Sequence, residues 1–149
     1  MEISKFNIRV YGILINDKNQ VLITDELIKG TKITKFPGGG LEFGEGTIDC
    51  LKREFIEETN NEVEVTEHFY TTDYFQVSAY NSSHQIISIY YRVKPIGDFI
   101  ISSKENKFDF NIGINEQQIF RWMDLKDVSE HHFTLPIDKL VGKMLKEKL

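Results

Sequence analysis

Three glutamates, Glu54, Glu57 and Glu58, lie close together in the first half of the chain, in a segment with the spacing of a helix. A helix advances by about 100° per residue, so the three carboxylates project from one face. Glu54 and Glu58 form a like-charge pair one turn apart, which destabilises a helix by roughly a few tenths of a kcal/mol. Arg53 can neutralise only part of this charge. The fold must therefore either expose the acidic face to water or provide a cation for it.

Two interpretations of this acidic face are open. A helix rich in glutamate, with its polar face in water, needs no partner. A divalent cation site also uses convergent oxygen ligands, which are the ligands that Mg²⁺ and Mn²⁺ prefer. The upstream segment KFPGGG favours the second interpretation, because successive glycines let the backbone approach a ligand closely.

From Gly39 onwards the sequence resembles the Nudix box, G-x5-E-x7-R-E-U-x-E-E-x-G-U, where U is a bulky apolar residue. Seven of its nine specified positions match, namely Gly39, Glu45, Arg53, Glu54, Phe55, Glu57 and Glu58. Asn60 replaces the glycine of the box, and Asn61 replaces its last apolar residue. Asparagine tolerates the left-handed conformation that ends many helices, so we expect Asn60 to end this helix. The contact of the missing apolar residue is either lost or made by Val63.

The resemblance implies a Nudix-type α/β/α sandwich with a mixed β-sheet, and we expect one α/β domain over residues 1–149. Hydrophobic periodicity and turn residues predict the elements independently. Strands are predicted at residues 6–15, 20–24, 85–95 and 117–123, β-rich sequence at 62–80, helices at 47–59 and 136–149, a short helical turn at 124–130 and a loop at 25–34. In the first helix, Ile48, Leu51 and Phe55 form the predicted apolar stripe.

The resemblance also implies a metal site. Its ligands would be the Gly38 carbonyl and several carboxylates, those of Glu54, Glu57, Glu58 and Glu116. Arg53 would hold the glutamates in place, and Glu45 would support the loop or bind metal through water. Glu116 precedes Trp122 by a few residues, as a further metal-binding glutamate does in several family members. Either Glu54 or Glu116 would act as the general base.

The reaction implied by the resemblance is hydrolysis of a nucleoside diphosphate linked to another moiety, with Mg²⁺ or Mn²⁺ as cofactor. Whether the substrate is a nucleotide, a nucleotide sugar or a nucleoside triphosphate stays open. Arg9 is a candidate contact for a substrate phosphate, with a surface or salt-bridge role as the alternative. Asp138 lies where some family members recognise a purine. Against a purine triphosphate, Asp25 and Glu26 occupy positions where a phosphate-binding arginine often follows the second strand.

A non-catalytic Nudix-fold nucleotide-binding sensor or regulator is the alternative function. Such family members usually have a degraded box, whereas every charged position of the box is intact here. The intact box therefore favours an enzyme.

Charge and composition limit the partners. The formal net charge is −5, and no dense basic patch is present in the sequence, so we expect a small-molecule nucleotide substrate and no nucleic acid. The N-terminal apolar run is short and flanked by charges, so no membrane segment or signal peptide is predicted. A single cysteine, Cys50, excludes an internal disulfide, and we expect a cytoplasmic location. The family resemblance makes a homodimer a further expectation.

Overall fold

The computed structural model describes residues 2–148. Its strands are β1 (Lys5–Leu14), β2 (Gln20–Ile28), β3 (Thr31–Lys35), β4 (Gly38–Gly40), β5 (Val63–Thr71), β6 (His84–Pro95) and β7 (Gln117–Asp124). Its helices are α1 (Thr47–Thr59) and α2 (Pro136–Lys148), with 3₁₀ turns at Leu125–Asp127 and Glu130–His132. The chain forms two compact units. The first runs to Ile13 and resumes over Pro37–Phe99, and the second covers Leu14–Phe36 and continues from Ile100.

The first unit is built on a sheet with the strand order β4-β1-β6-β5. Strands β1 and β4 are antiparallel, and so are β5 and β6. Helix α1 packs on β1 at Gly12. The Phe55 ring lies so close to this glycine that a Cβ atom there would be only 2.6 Å from it. Glycine at position 12 thus lets the ring of Phe55 reach the strand.

Helix α1 coincides with the predicted residues 47–59, but its buried stripe differs from the prediction. The buried residues are Cys50, Leu51, Phe55 and Thr59. Ile48, which was predicted to lie in the stripe, is 44% exposed. Leu51 and Phe55 define the stripe, and Ile48 lies in the first turn, at the margin of the buried face.

The C-terminus of α1 confirms the predicted role of Asn60. Asn60 has the left-handed backbone angles φ 57° and ψ 29°, and its N–H group donates to the Ile56 carbonyl. The Asn61 side chain donates to the Thr59 carbonyl at 2.8 Å, so this position makes a hydrogen bond and not the apolar contact of the box. Val63 is 1% exposed and supplies the apolar residue at this end of the helix.

The second unit contains an antiparallel sheet with the strand order β3-β2-β7. The prediction of a loop at residues 25–34 is wrong, because β2 continues to Ile28 and β3 begins at Thr31. Between them, Lys29 and Gly30 both have positive φ angles, 49° and 80°, which produce a tight hairpin turn.

Buried polar contacts explain why this hairpin was missed. Asp25 is fully buried and accepts hydrogen bonds from Arg121 Nε at 2.6 Å and from Arg121 Nη2 at 2.9 Å. Thr34 Oγ1 donates to the same carboxylate at 2.8 Å. A strand pattern in sequence does not include a buried carboxylate, because an unpaired buried charge is strongly unfavourable. Here the partner is a distant residue.

Helix α2 begins at the predicted Pro136. Its buried residues are Ile137, Asp138, Val141, Gly142 and Leu145. Leu140 and Met144 lie beside these residues and are only partly buried. Within residues 2–148, the helices are all too short or too polar to span a membrane.

Candidate active site

Arg53 is the centre of the acidic face of α1. Its guanidinium donates to both carboxylate oxygens of Glu45, at 3.0 Å from Nε and 2.7 Å from Nη2. Nη1 donates to Glu54 at 3.0 Å and to Glu57 at 3.2 Å. Nη2 also donates to the Gly40 carbonyl at 3.1 Å. A planar guanidinium has five N–H donors in a rigid fork, so one arginine can hold three carboxylates and the adjacent backbone.

This network changes the ionisation of Glu45 and Arg53. Hydrogen bonding from Arg53, together with the backbone N–H of Glu42, lowers the pKa of Glu45 to about 2. The same bond to Glu45 raises the pKa of Arg53 above its ordinary value. At neutral pH the pair is therefore an ion pair that ties the loop before α1 to the helix.

Glu54 lies directly against the glycine strand β4. A Cβ atom on Gly39 would lie 2.5 Å from the Cδ atom of Glu54 and 2.8 Å from its Oε2 atom. On the same strand, Gly38 has a φ angle of 147°, and a Cβ there would overlap the backbone of Val10 and Tyr11. Glycine at position 39 therefore provides the space that the Glu54 carboxylate occupies.

The three predicted metal-binding glutamates of α1 differ in their exposure. The Glu54 side chain is 14% exposed and the Glu57 side chain is 57% exposed. Oε2 of Glu58 is buried. Among residues 2–148, no three acidic, histidine or cysteine side chains are arranged as a ready metal centre. Arg53 brings Glu54 and Glu57 together, and the metal site itself stays a prediction.

Cys50 lies close to this network. Its Sγ atom is 3.5 Å from the Gly40 carbonyl oxygen and 3.7 Å from Nη2 of Arg53. Burial and the nearby Glu45 raise the pKa of the Cys50 thiol to about 12. The side chain is thus a neutral thiol at physiological pH, without the reactivity of a thiolate.

The remaining predicted site residues lie on other elements. Arg9 is half-buried on β1, in the same unit as the box, and pairs with Gly40 across the ladder. Glu116 belongs to the second unit, where it is exposed immediately before β7. Asp138 also belongs to the second unit, in the first turn of α2, and is 2% exposed. The roles of these three residues stay predictions.

Tyr11 is a further residue beside the site that was not among the predicted residues. Its hydroxyl accepts a hydrogen bond of 2.7 Å from Arg9 Nε. Residues two apart on a strand project from the same face, so the spacing of Arg9 and Tyr11 contained this information once β1 was assigned. The sequence could not reveal that Arg9, among the charged residues near the N-terminus, would pair with the glycine strand.

Comparisons with known proteins identify the family and the fold of the chain. A family model described as the NUDIX domain matches residues 5–142. A search of curated proteins finds no match. The fold resembles a NUDIX hydrolase from Nitrosomonas europaea, with 17% identity, a TM-score of 0.66, and coverage of 95% of this chain and 88% of that chain.

Two further solved structures have the same fold. The MutT protein from Methanosarcina mazei Go1 is 16% identical, with a TM-score of 0.67 and coverage of 97% of this chain and 96% of that chain. A UDP-X diphosphatase is 17% identical, with a TM-score of 0.60 and coverage of 99% of this chain and 62% of that chain. These likenesses confirm the predicted Nudix-type α/β fold. Since the family model spans most of the sequence, the chain belongs to the NUDIX family and is a Nudix pyrophosphohydrolase.

Proposed function

We propose that this chain is a divalent-metal-dependent hydrolase that cleaves the diphosphate bond of a nucleoside diphosphate linked to another moiety. Water would attack one phosphorus of the diphosphate. The observation that carries the proposal is the carboxylate face of α1, which Arg53 holds beside the glycine strand β4. Membership of the NUDIX family supports the reaction class.

The donor atoms on this face fit a hard divalent cation. Carboxylate and carbonyl oxygens are the ligands that Mg²⁺ and Mn²⁺ prefer. Glu57 is exposed enough to turn toward a ligand, whereas Glu54 is fixed against Gly39. We therefore propose that the metal is held by the Gly38 carbonyl with Glu54, Glu57 and Glu58. Glu116 is a proposed additional ligand.

When bound, Mg²⁺ or Mn²⁺ would neutralise phosphate oxygens and lower the pKa of a bound water molecule. Arg53 would keep the carboxylates in position through its bonds to Glu45, Glu54 and Glu57. Glu54 is the better supported general base, because its carboxylate is positioned by both Arg53 and the strand backbone. It would orient the attacking water and accept its proton at a carboxylate oxygen. Glu116 remains the alternative base.

Two residues are proposed for substrate binding. Arg9 would bind a phosphate group of the substrate, because it combines a positive charge with a position beside Gly40. Asp138 would contact the base, and its burial means that neighbouring atoms must move before a nucleotide reaches it. The UDP-X diphosphatase that shares the fold supports including UDP conjugates among the candidate substrates.

The acidic charge and the single cysteine support a cytoplasmic enzyme that acts on small nucleotides and binds neither nucleic acid nor membranes. A homodimer is proposed from family resemblance alone. The molar mass of the purified protein in solution tests the homodimer separately.

Hydrolysis of a substrate panel tests the proposal. The protein is incubated with ADP-ribose, UDP-glucose, a dinucleoside polyphosphate and dGTP, each with Mg²⁺, with Mn²⁺ or with chelator, and released phosphate products are measured. We expect cleavage of at least one substrate with metal and none with chelator. We also expect Mg²⁺ or Mn²⁺ to raise the melting temperature, because a ligand that binds only the folded state stabilises it.

Glu57→Gln and Glu64→Gln are the test variant and its matched control. Both remove one exposed glutamate of the first unit that lies near a cation, Arg53 or Lys94. Only Glu57→Gln should abolish hydrolysis and the metal-induced shift. Absence of cleavage with every substrate, together with no metal-induced shift, would overturn the hydrolase proposal. Binding of nucleotides without cleavage would instead support the sensor function.

A further inference from the structure

A buried tyrosine holds the arginine proposed to bind phosphate. Arg9 and Tyr11 project from the same face of β1, and Arg9 Nε donates to the Tyr11 hydroxyl at 2.7 Å. The central guanidinium carbon of Arg9 is also 5.7 Å from the centroid of the Tyr11 ring. Tyr11 is 4% exposed, whereas Arg9 is half-buried. The orientation of the guanidinium is therefore determined by a group that is itself fixed in the core.

The guanidinium lies beside the glycine strand β4. Arg9 is paired with Gly40 in the antiparallel ladder, and a Cβ atom on Gly40 would lie 3.6 Å from Arg9 Nη1. The preceding residue, Gly39, has the Glu54 carboxylate at its own Cβ position. Because neighbouring strand residues point to opposite faces, β4 has a cation on one face and a carboxylate on the other. Strand β4 is at the edge of its sheet, and Arg9 and Gly40 are both only partly buried, so a ligand can approach the guanidinium at this end of the strand.

Tyr11 is kept in place by two further tyrosines. Its ring is 5.2 Å from the ring of Tyr90, which is 1% exposed, and Tyr90 is 6.5 Å from Tyr70. Tyr70 ends the row by donating its hydroxyl to Asp73 at 2.7 Å. Tilted aromatic pairs at these separations pack favourably. The hydroxyl of Tyr11 therefore has little freedom to follow Arg9 if the arginine moves.

We propose that Tyr11 is a positioning residue, which orients Arg9 so that its guanidinium binds the diphosphate group of the substrate at β4. The inference rests on the proposed function, since it assumes a diphosphate ligand. A guanidinium binds phosphate through charge-assisted, directional hydrogen bonds, so its orientation matters as well as its charge. An arginine that is already ordered loses less conformational freedom when the ligand binds. The bond to Tyr11 engages the Nε side of the guanidinium and thereby sets the direction of the Nη1 side.

A binding experiment tests the inference independently of turnover. The probe is α,β-methylene-ADP with Mg²⁺, whose carbon bridge prevents hydrolysis, and its dissociation constant is measured by calorimetry. Tyr11→Phe retains the ring and the aromatic row and removes only the hydroxyl. We expect it to raise the dissociation constant about 5–10-fold, the effect of losing one typical hydrogen bond. Arg9→Gln should raise it at least about 10-fold.

The double variant separates positioning from packing. If Tyr11 acts through Arg9, Tyr11→Phe should add little once Arg9→Gln is present, because the two residues then form one coupled unit. Tyr70→Phe is the matched control, since it removes a hydroxyl from the same row without touching Arg9, and it should leave the dissociation constant unchanged. For a hydrolysed substrate, Tyr11→Phe should raise KM while kcat stays within about twofold. If the hydroxyl groups of this row served only packing, Tyr11→Phe and Tyr70→Phe should both lower the melting temperature.

The outcomes distinguish this inference from the proposed function. Binding of the probe that weakens in Tyr11→Phe supports the inference even if no substrate is hydrolysed. Additive effects in the double variant, or unchanged binding in Tyr11→Phe at wild-type stability, would overturn it even if hydrolysis is normal. A wild-type protein that does not bind the probe would also overturn it.

Discussion

Replacing Gly39 with alanine tests whether Glu54 must lie against β4 for activity. The added Cβ would lie 2.5 Å from Cδ and 2.8 Å from Oε2 of Glu54, whereas ordinary contacts begin near 3.4 Å. The carboxylate must therefore retreat by about 1 Å. A displacement of about 1 Å at a reacting group lowers a rate by about 100-fold, which corresponds to ~2.7 kcal/mol of activation free energy.

The same substitution should have little effect on folding. The atoms in conflict are the end of a flexible side chain, which can rotate away. Weakening the bond between Arg53 and Glu54 costs up to about 1 kcal/mol, and alanine offsets a similar amount by restricting the unfolded chain. We therefore expect the free energy of unfolding to change by less than about 1 kcal/mol. Gly39→Ala should therefore lower the reaction rate strongly while the stability of the fold changes little.

The assay compares kcat/KM and melting temperature for Gly39→Ala and Gly40→Ala. At Gly40 the added Cβ meets Arg9 Nη1 at 3.6 Å, an ordinary contact distance. Gly40→Ala should therefore keep kcat within about threefold, and any effect of a methyl group beside Arg9 on substrate binding should be seen in KM. The reasoning is refuted if Gly39→Ala retains more than about a third of the wild-type kcat/KM, or if both variants lose activity equally.

Three further predictions concern charged residues. Glu57→Gln should lower kcat by at least about 100-fold as a lost metal ligand, while its exposed pair with Arg53 contributes only about 0.3–0.5 kcal/mol to stability. Glu45 has a lowered pKa, so it stabilises the fold above the unfolded value of 4.5, and this contribution is lost as the pH falls through about 2. The stability difference between wild type and Glu45→Gln should therefore shrink between these pH values in chemical denaturation. Arg121→Met leaves the fully buried Asp25 without its ion partner and should destabilise the fold by about 3–5 kcal/mol.

Matched variants control these measurements. Glu64→Gln removes an exposed carboxylate 3.4 Å from Lys94 and should change neither kcat nor the pH dependence of stability. Arg92→Met breaks an exposed pair with Glu67 and should cost less than about 1 kcal/mol. A pH-independent difference for Glu45→Gln would contradict the ion pair with Arg53. Equal losses in Arg92→Met and Arg121→Met would show that burial does not determine the cost.

The sequence alone predicted the bounds of the first helix well. Residues 47–59 form α1 as predicted, and Asn60 ends it in the left-handed conformation. Both results follow from local rules, because helix periodicity and capping involve residues at most a few positions apart. The contacts of Arg53 with Glu54 and Glu57 are equally local, since both glutamates lie within about one helical turn of it.

Tertiary structure decided which distant residues bind the polar groups outside the acidic helix. Asp25 and Arg121 are 96 positions apart, so the sequence did not indicate their buried ion pair. For the same reason a loop was predicted where β2 and β3 form a hairpin. The bond between Arg9 and Tyr11 is local, but the pairing of Arg9 with Gly40 depends on the register of β1 and β4. Sequence spacing determined which groups lie on the acidic helix. Burial and strand pairing determined which distant groups neutralise or orient the other charges, because these contacts form only when separate segments pack together.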